Sequence, residues 1–128
     1  MFSHIMVGAD DIEASRKFYD AALGALGIEP GVTDPRGRVW WRTGRGNFAI
    51  SKPIDGGPAS CANGGTIGFT ATTAEAADAF HTAGLAYGGT AIEDPPGLRE
   101  SPFGALHLAY LRDPAGNKVC AMHRLPAA

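Results

Sequence analysis

His4-Ile5-Met6-Val7-Gly8-Ala9-Asp10-Asp11-Ile12-Glu13-Ala14-Ser15-Arg16-Lys17-Phe18-Tyr19 is the stretch on which the fold turns. It opens as an extended segment, Phe2–Val7, with Ile5 and Val7 on one side and Phe2, His4 and Met6 on the other. Its period then changes. After Asp11, a good N-cap, Ile12, Ser15, Phe18, Tyr19, Ala22, Leu23 and Leu26 recur at helical spacing, and Gly27 is a stop signal. The same order returns 62 residues on, where Ile67 falls on Ile5, Phe80 on Phe18, Leu85 on Leu23 and Gly89 on Gly27. Thr72-Thr73-Ala74-Glu75 reads as a capping box, and Ala76, Ala79, Phe80 and Ala83 form a smaller apolar helix face.

Strand signals follow each helix. In the first half they are Ile28–Thr33, Val39–Thr43 and Phe48–Lys52, the last two joined by the turn Gly44-Arg45-Gly46-Asn47. In the second half they are Thr90–Ile92, Leu106–Arg112 and Lys118–Met122, with Asp113-Pro114-Ala115-Gly116-Asn117 as a hairpin turn. Pro53–Asn63 is a linker by composition, and Asp94–Pro102, rich in proline and charge, reads as a loop. The chain is therefore one α+β domain of two βαβββ modules, 1–52 and 64–124, joined by the linker 53–63.

Composition narrows the classes of function. Apolar residues at 45% and charged residues at 19% suit a globular chain rather than a disordered one. The longest apolar run, Ala21–Ile28, is far below the roughly 20 residues of a membrane span. A net charge of −2 gives no reason to expect nucleic acid. Cys61 and Cys120 make neither a zinc ribbon nor a disulfide framework, and no leader pattern opens the sequence, so a cytoplasmic protein with reduced thiols is expected. Gly44-Arg45-Gly46 lacks the rest of a nucleotide fingerprint, and there is no nucleophile elbow and no Cys-x-x-Cys.

The repeat, the opening words above and Tyr110-Leu111-Arg112-Asp113-Pro114-Ala115-Gly116-Asn117-Lys118-Val119 resemble the vicinal oxygen chelate superfamily. That group includes glyoxalase I (lactoylglutathione lyase), fosfomycin-resistance thiol transferases, extradiol dioxygenases and bleomycin-resistance binding proteins. The resemblance implies eight strands curled into a half-open barrel-like sheet around a cleft, helices outside, and a homodimer. It also implies metal-ligand positions on the first and last strand of each module. These fall on His4 and Thr66, on Cys120 where the family carries Glu, and on Ile50 when Gly46-Asn47 is aligned with Gly116-Asn117. A divalent ion wants nitrogen and carboxylate ligands, and a catalytic zinc has three from the protein. Only His4 fits, so no cofactor is expected, with a divalent metal at His4 as the alternative.

Other residues complete the expected cleft. Cys120 reads either as a nucleophile activated by an imidazole or as a small apolar filler. Tyr110, at the spacing of a cleft tyrosine in the fosfomycin-resistance relatives, reads either as a hydroxyl offered to ligand or as sheet packing. Trp40 and Trp41 point to opposite faces, one of them toward the cleft. Phe48, Ile50 and Met122 share the parity of the ligand positions and make the cleft apolar. Arg38, Arg42 and Arg45 read as anion recognition at a rim or as a solvated face. His81, at the end of the second helix, and His107 and His123, off the parity of Tyr110 and Cys120, are not expected in the cleft. The expected site is His4, Trp41, Phe48, Ile50, Thr66, Tyr110, Cys120 and Met122, with Tyr110 and Cys120 as the catalytic candidates. The expected partner is a small apolar or aromatic molecule. Three functions follow: a binding protein without the usual metal, an enzyme that is either metal-assisted through His4 or metal-free through Tyr110 and Cys120, or a dimer whose vestigial cleft is filled by its own side chains.

Overall fold

The structure is a computed structural model and describes residues 1–126. Helix α1 (Ile12–Gly24) begins where Asp11 accepts the Ala14 N–H at 3.0 Å, and it buries Ser15, Phe18, Tyr19, Ala22 and Leu23. Helix α2 (Ala74–Ala86) is capped by Thr73, which accepts the Ala76 N–H at 3.0 Å. With the cap at Thr73, Glu75 sits one residue too early to reach back to it, so the expected capping box does not form. The buried face of α2 is Ala77, Phe80 and Gly84; Ala79 is exposed. Gly84 is needed for close approach, since a Cβ there would lie 2.4 Å from Leu111 Cδ1 and 2.9 Å from Phe18 Cε2.

The first sheet has the order β1-β4-β3-β2, from β1 (His4–Gly8), β2 (Val32–Thr33), β3 (Val39–Thr43) and β4 (Gly46–Ser51). The second has the order β5-β9-β8-β6, with β7 also on β8, from β5 (Ile67–Thr70), β6 (Thr90–Ala91), β7 (Gly97–Ser101), β8 (Gly104–Arg112) and β9 (Lys118–Arg124). β1 runs parallel to β4 and β5 parallel to β9, so the modules share one plan and neither sheet closes. Both helices pack on the same core, where Phe18, Tyr19 and Leu23 of α1 meet Phe80 of α2 and the inner residues of both sheets. No helix among the described residues is long and apolar enough to cross a membrane.

Three expectations need correction. The described residues form nine strands rather than eight, because Gly97–Ser101, expected as loop, pairs with β8 across the turn Pro102-Phe103. Pro95 and Pro96 precede the strand, Pro102 follows it in the turn, and Ser101 Oγ closes that turn by donating to the Gly104 carbonyl at 2.7 Å. The segment Ile28–Thr33 is a strand only at Val32–Thr33. Side chains of α1 bind its backbone instead: Asp20 accepts the Gly31 N–H at 2.8 Å, and Arg16 donates to the Gly31 carbonyl at 2.7 Å. The β3–β4 hairpin turns on Gly44-Arg45 alone, with Thr43 paired to Gly46.

Candidate functional site

Strand register decides which side chains share a face, because directly paired residues point the same way. Ile5 pairs with Phe48 and Phe48 with Trp41, while Val7 pairs with Ile50 and Ile50 with Val39. All six face the helices. The opposite, open side of the first sheet carries His4, Met6, Trp40, Asn47 and Ala49. In the second module Ile67, Val119 and Leu111 face the helices, and Gly68, Cys120 and Tyr110 share the open side. Burial agrees: Ala49, Leu108 and Cys120 are buried, yet none belongs to the helix-side core.

This register corrects the alignment of ligand positions. Ile5 and Ile67 are repeat partners, and they pair with Phe48 and Val119, so Ala49 is the counterpart of Cys120. Aligning the two Gly-Asn words gave Ile50, one residue off. Gly46 is already a strand residue after a two-residue turn, whereas Gly116-Asn117 still belongs to a five-residue loop between the closing pair Arg112 and Lys118. Ile50 is fully buried in the core, and it shares neither face nor parity with His4. The family's four ligand positions are therefore His4, Ala49, Thr66 and Cys120. One imidazole and one thiol without a carboxylate do not fit a divalent ion. Among the described residues no three of His, Cys, Asp and Glu come together as a metal site.

A cleft of about 320 Å³ opens between the edge strands β1 and β5. Trp41, Phe48 and Phe69 wall it, with Ile5 and Ile67 from the two edge strands and Leu23 and Ile28 behind. Phe48 and Phe69 meet edge to face across the modules, with centroids 5.1 Å apart. Trp41 Nε1 donates to Asp20 at 3.0 Å, so its polar atom is satisfied away from the cleft. His4, Thr43, Arg45, Asn47 and Thr70 form the polar rim. His4 Nδ1 hydrogen-bonds Ser3 Oγ at 2.8 Å, and its ring lies 5.6 Å from that of Trp40.

The expected residues thus divide. His4, Trp41 and Phe48 line this cleft, although Trp41 and Phe48 reach it from the helix side rather than from the ligand face. Thr66 is exposed and precedes β5, whose Ile67 and Phe69 form the wall. Tyr110, Cys120 and Met122 stand on the open side of the second sheet, outside the cleft. Burial pushes the Cys120 thiol up to about 11; Lys118 opposes this and Glu93 adds to it. Such a thiol stays protonated at neutral pH, the reverse of an activated nucleophile. Burial also raises Tyr110, as do Cys120 and Glu93, against Lys118 and Arg99. Lys118 pairs with Glu93 and sits 5.1 Å over the Tyr110 ring. The other histidines are engaged elsewhere: His107 bonds Asp78 at 2.8 Å, and His123 donates to the Ala71 carbonyl at 3.1 Å. His81 is half-buried on α2, where desolvation lowers its pKa against the opposing pull of Asp78 and the Tyr110 backbone.

Sequence reading missed Ile5, Ile67 and Phe69 as wall residues and Asn47 and Thr43 at the rim. The repeat pairs Ile5 with Ile67 without placing either at a cleft. The available signal was their equivalent place on the opening strand of each module; that these strands are sheet edges is visible only in the structure.

The Asp-Pro-Ala-Gly-Asn turn holds the two walls together. Asp113 accepts the Tyr19 hydroxyl at 2.6 Å and the Asn117 amide at 2.9 Å on Oδ2, and the Ala115 and Asn117 N–H groups on Oδ1. Asn117 Nδ2 also donates to the Gly8 carbonyl at 3.1 Å. A buried carboxylate of module two is thereby bound to α1 and β1 of module one. Burial drives the Tyr19 pKa well up, and Asp113 adds to the rise.

Comparison with known proteins agrees with this architecture. A glyoxalase/bleomycin resistance protein from Albidiferax ferrireducens T118 is 57% identical, with 97% of this chain and 99% of that one aligned at a TM-score of 0.94. A glyoxalase/bleomycin resistance protein/dioxygenase family enzyme from Burkholderia phytofirmans PsJN shares the fold at 20% identity, covering 96% and 98% of the two chains at a TM-score of 0.71. A lactoylglutathione lyase from Agrobacterium tumefaciens aligns at 25% identity, covering 96% and 92%, with a TM-score of 0.64. A search of the curated proteins found no match. The profile of one family matches residues 1–121, so the chain belongs to the Glyoxalase/Bleomycin resistance protein/Dioxygenase superfamily.

Proposed function

We propose that this protein binds a small apolar or aromatic molecule in the cleft between its modules, without a metal held by its own residues. The cleft carries the reading: about 320 Å³ walled by three aromatic rings, with polar groups confined to the rim. The donor set at the four ligand positions supports binding without the family's metal chemistry. The open sheet edges support pairing with a second copy, and the free thiols Cys61 and Cys120 a reducing, cytoplasmic setting.

The test is titration with N-phenyl-1-naphthylamine, a neutral fluorescent probe, against the native chain and Ile67→Trp, which places a larger ring in the cleft. Saturable binding that this substitution blocks supports the reading. Binding indifferent to Ile67→Trp, or none, refutes it.

The second reading is a metal-dependent enzyme working through His4. Its supporting observation is that the exposed His4 ring stands at the cleft rim with Nδ1 bonded to Ser3, leaving Nε2 for a ligand. Elemental analysis of protein purified without chelator, beside His4→Ala, decides it. Near-stoichiometric metal that the substitution abolishes supports this reading and overturns the metal-free one; absence of metal overturns this one.

A further inference from the structure

A second concavity, of about 430 Å³, lies on the open side of the first sheet and shares no lining residue with the inter-module cleft. Strand β1 serves both: Ile5 faces the cleft, and Met6, the next residue, faces this concavity. Arg36, Arg38 and Lys52 line it together with Met6, Pro53 and Ile54.

Two features mark it as a place for a ligand. The first is unspent positive charge on a chain whose net charge is −2. Arg38 is held by Asp34, with Nε 2.6 Å from Oδ2. The guanidinium of Arg36 and the ammonium of Lys52 make no ion pair or hydrogen bond among the described residues. Two further acids flank the site: Asp10 lines an adjoining concavity with Lys52 and accepts the Ala59 N–H at 2.7 Å, and Asp55, next to Ile54, accepts the Gly57 N–H at 2.9 Å. The second feature is apolar surface left in water beside those charges: Ile54 is fully exposed and Met6 is 37% exposed. Cations and bare apolar side chains around one concavity match an amphiphilic anion, whose charged end pairs with the guanidinium and whose body covers Met6 and Ile54.

From this juxtaposition we infer that the concavity is a binding site for a small organic carboxylate with an apolar body, separate from the inter-module cleft.

Phenylacetate is the probe and phenylacetamide its neutral counterpart, with binding followed by NMR titration. Phenylacetate is expected to move the Gly8 and Ser51 amides saturably, and phenylacetamide to bind at least about tenfold more weakly. The double variant Arg36→Gln/Lys52→Gln changes only exposed side chains and is expected to lose about tenfold or more for phenylacetate. Lys17→Gln, which removes an exposed cation of α1 that lines neither concavity, is expected to bind it unchanged. Four results overturn the inference: equal binding of acid and amide, a double variant that binds like the native chain, shifts at Asn47 and Gly68 instead, or no binding up to about 10 mM. Because the two sites share no residue, failure here leaves the inter-module cleft untouched, and failure there leaves this site standing.

Discussion

Tyr19→Phe removes one oxygen from a fully buried side chain and tests whether the Asp113 cluster holds the modules together. In the native chain that oxygen donates to Asp113 Oδ2 at 2.6 Å, and Asp113 is only 3% exposed. A hydrogen bond to a charged group contributes about 1.5–3 kcal/mol, so the expected cost is about 2 kcal/mol. Three donors remain on Asp113, from the Asn117 side chain and the Ala115 and Asn117 backbone, so the carboxylate is weakened and not orphaned. For a domain of this size the loss corresponds to a fall in Tm of about 8 °C. Urea unfolding of the native chain, Tyr19→Phe, Asn117→Ala and the double variant completes a cycle. A coupling of about 1 kcal/mol between the two sites is expected, since both side chains share Oδ2. There is also a pH signature. The folded Tyr19 pKa lies above its ordinary value of 10.0, so its contribution is whole below about pH 10 and is lost as pH rises through the folded pKa. Tyr19→Phe should lack that part of the alkaline loss. A cost below about 0.5 kcal/mol, or strict additivity with Asn117→Ala, refutes the clasp.

Other expectations follow from single sites. Burial pushes Asp34 upward, but hydrogen bonds from Trp40, Arg38 and Arg36 outweigh it and hold the carboxyl at about 2, below 3.8. Its stabilising contribution is therefore present above about pH 4 and disappears as pH falls through about 2. The Trp40 indole N–H signal should follow that midpoint, and a midpoint at or above 3.8 contradicts the bonding described. Thiol labelling at pH 8 should modify exposed Cys61 quickly and Cys120 at least about a hundredfold more slowly; comparable rates would show Cys120 accessible and ionised. Gly84→Ala should destabilise by about 1–3 kcal/mol, because the added methyl meets Leu111 and Phe18 in a packed core. Stability unchanged in denaturant would show that the helices separate freely.

The fold was legible because its signals are local and repeated. The Asp11 cap, the Phe18 and Tyr19 face and the 62-residue repeat mark one module twice, and α1 begins and buries as they require. Strand β7 was hidden because Gly97–Ser101 lies beside prolines and alternates too weakly to stand apart from loop composition. The site was legible in part. His4, Trp41 and Phe48 line the inter-module cleft, but Phe48 stands on the helix side and not on the face of the ligand positions. Parity within a strand is exact, whereas alignment between two strands depends on hairpin length, and two-residue and five-residue turns slip that frame. The role of Asp113 and Asn117 was invisible for a different reason. Their turn is a local feature, but their partners Tyr19 and Gly8 are 94 and 109 residues away in the chain. The basic concavity joins Met6, Arg36 and Lys52 from three separate segments, and only the register of β1, β3 and β4 brings them together.

The most direct measurement is an NMR titration of the chelator-treated protein with indole, a neutral aromatic, repeated after addition of zinc, nickel, manganese or iron. Saturable shifts at Phe48, Ile67 and Phe69, the same with and without metal, are the expected result. Shifts that appear only with metal and vanish in His4→Ala, or no saturable shifts at those residues, would contradict a metal-free aromatic cleft between the modules.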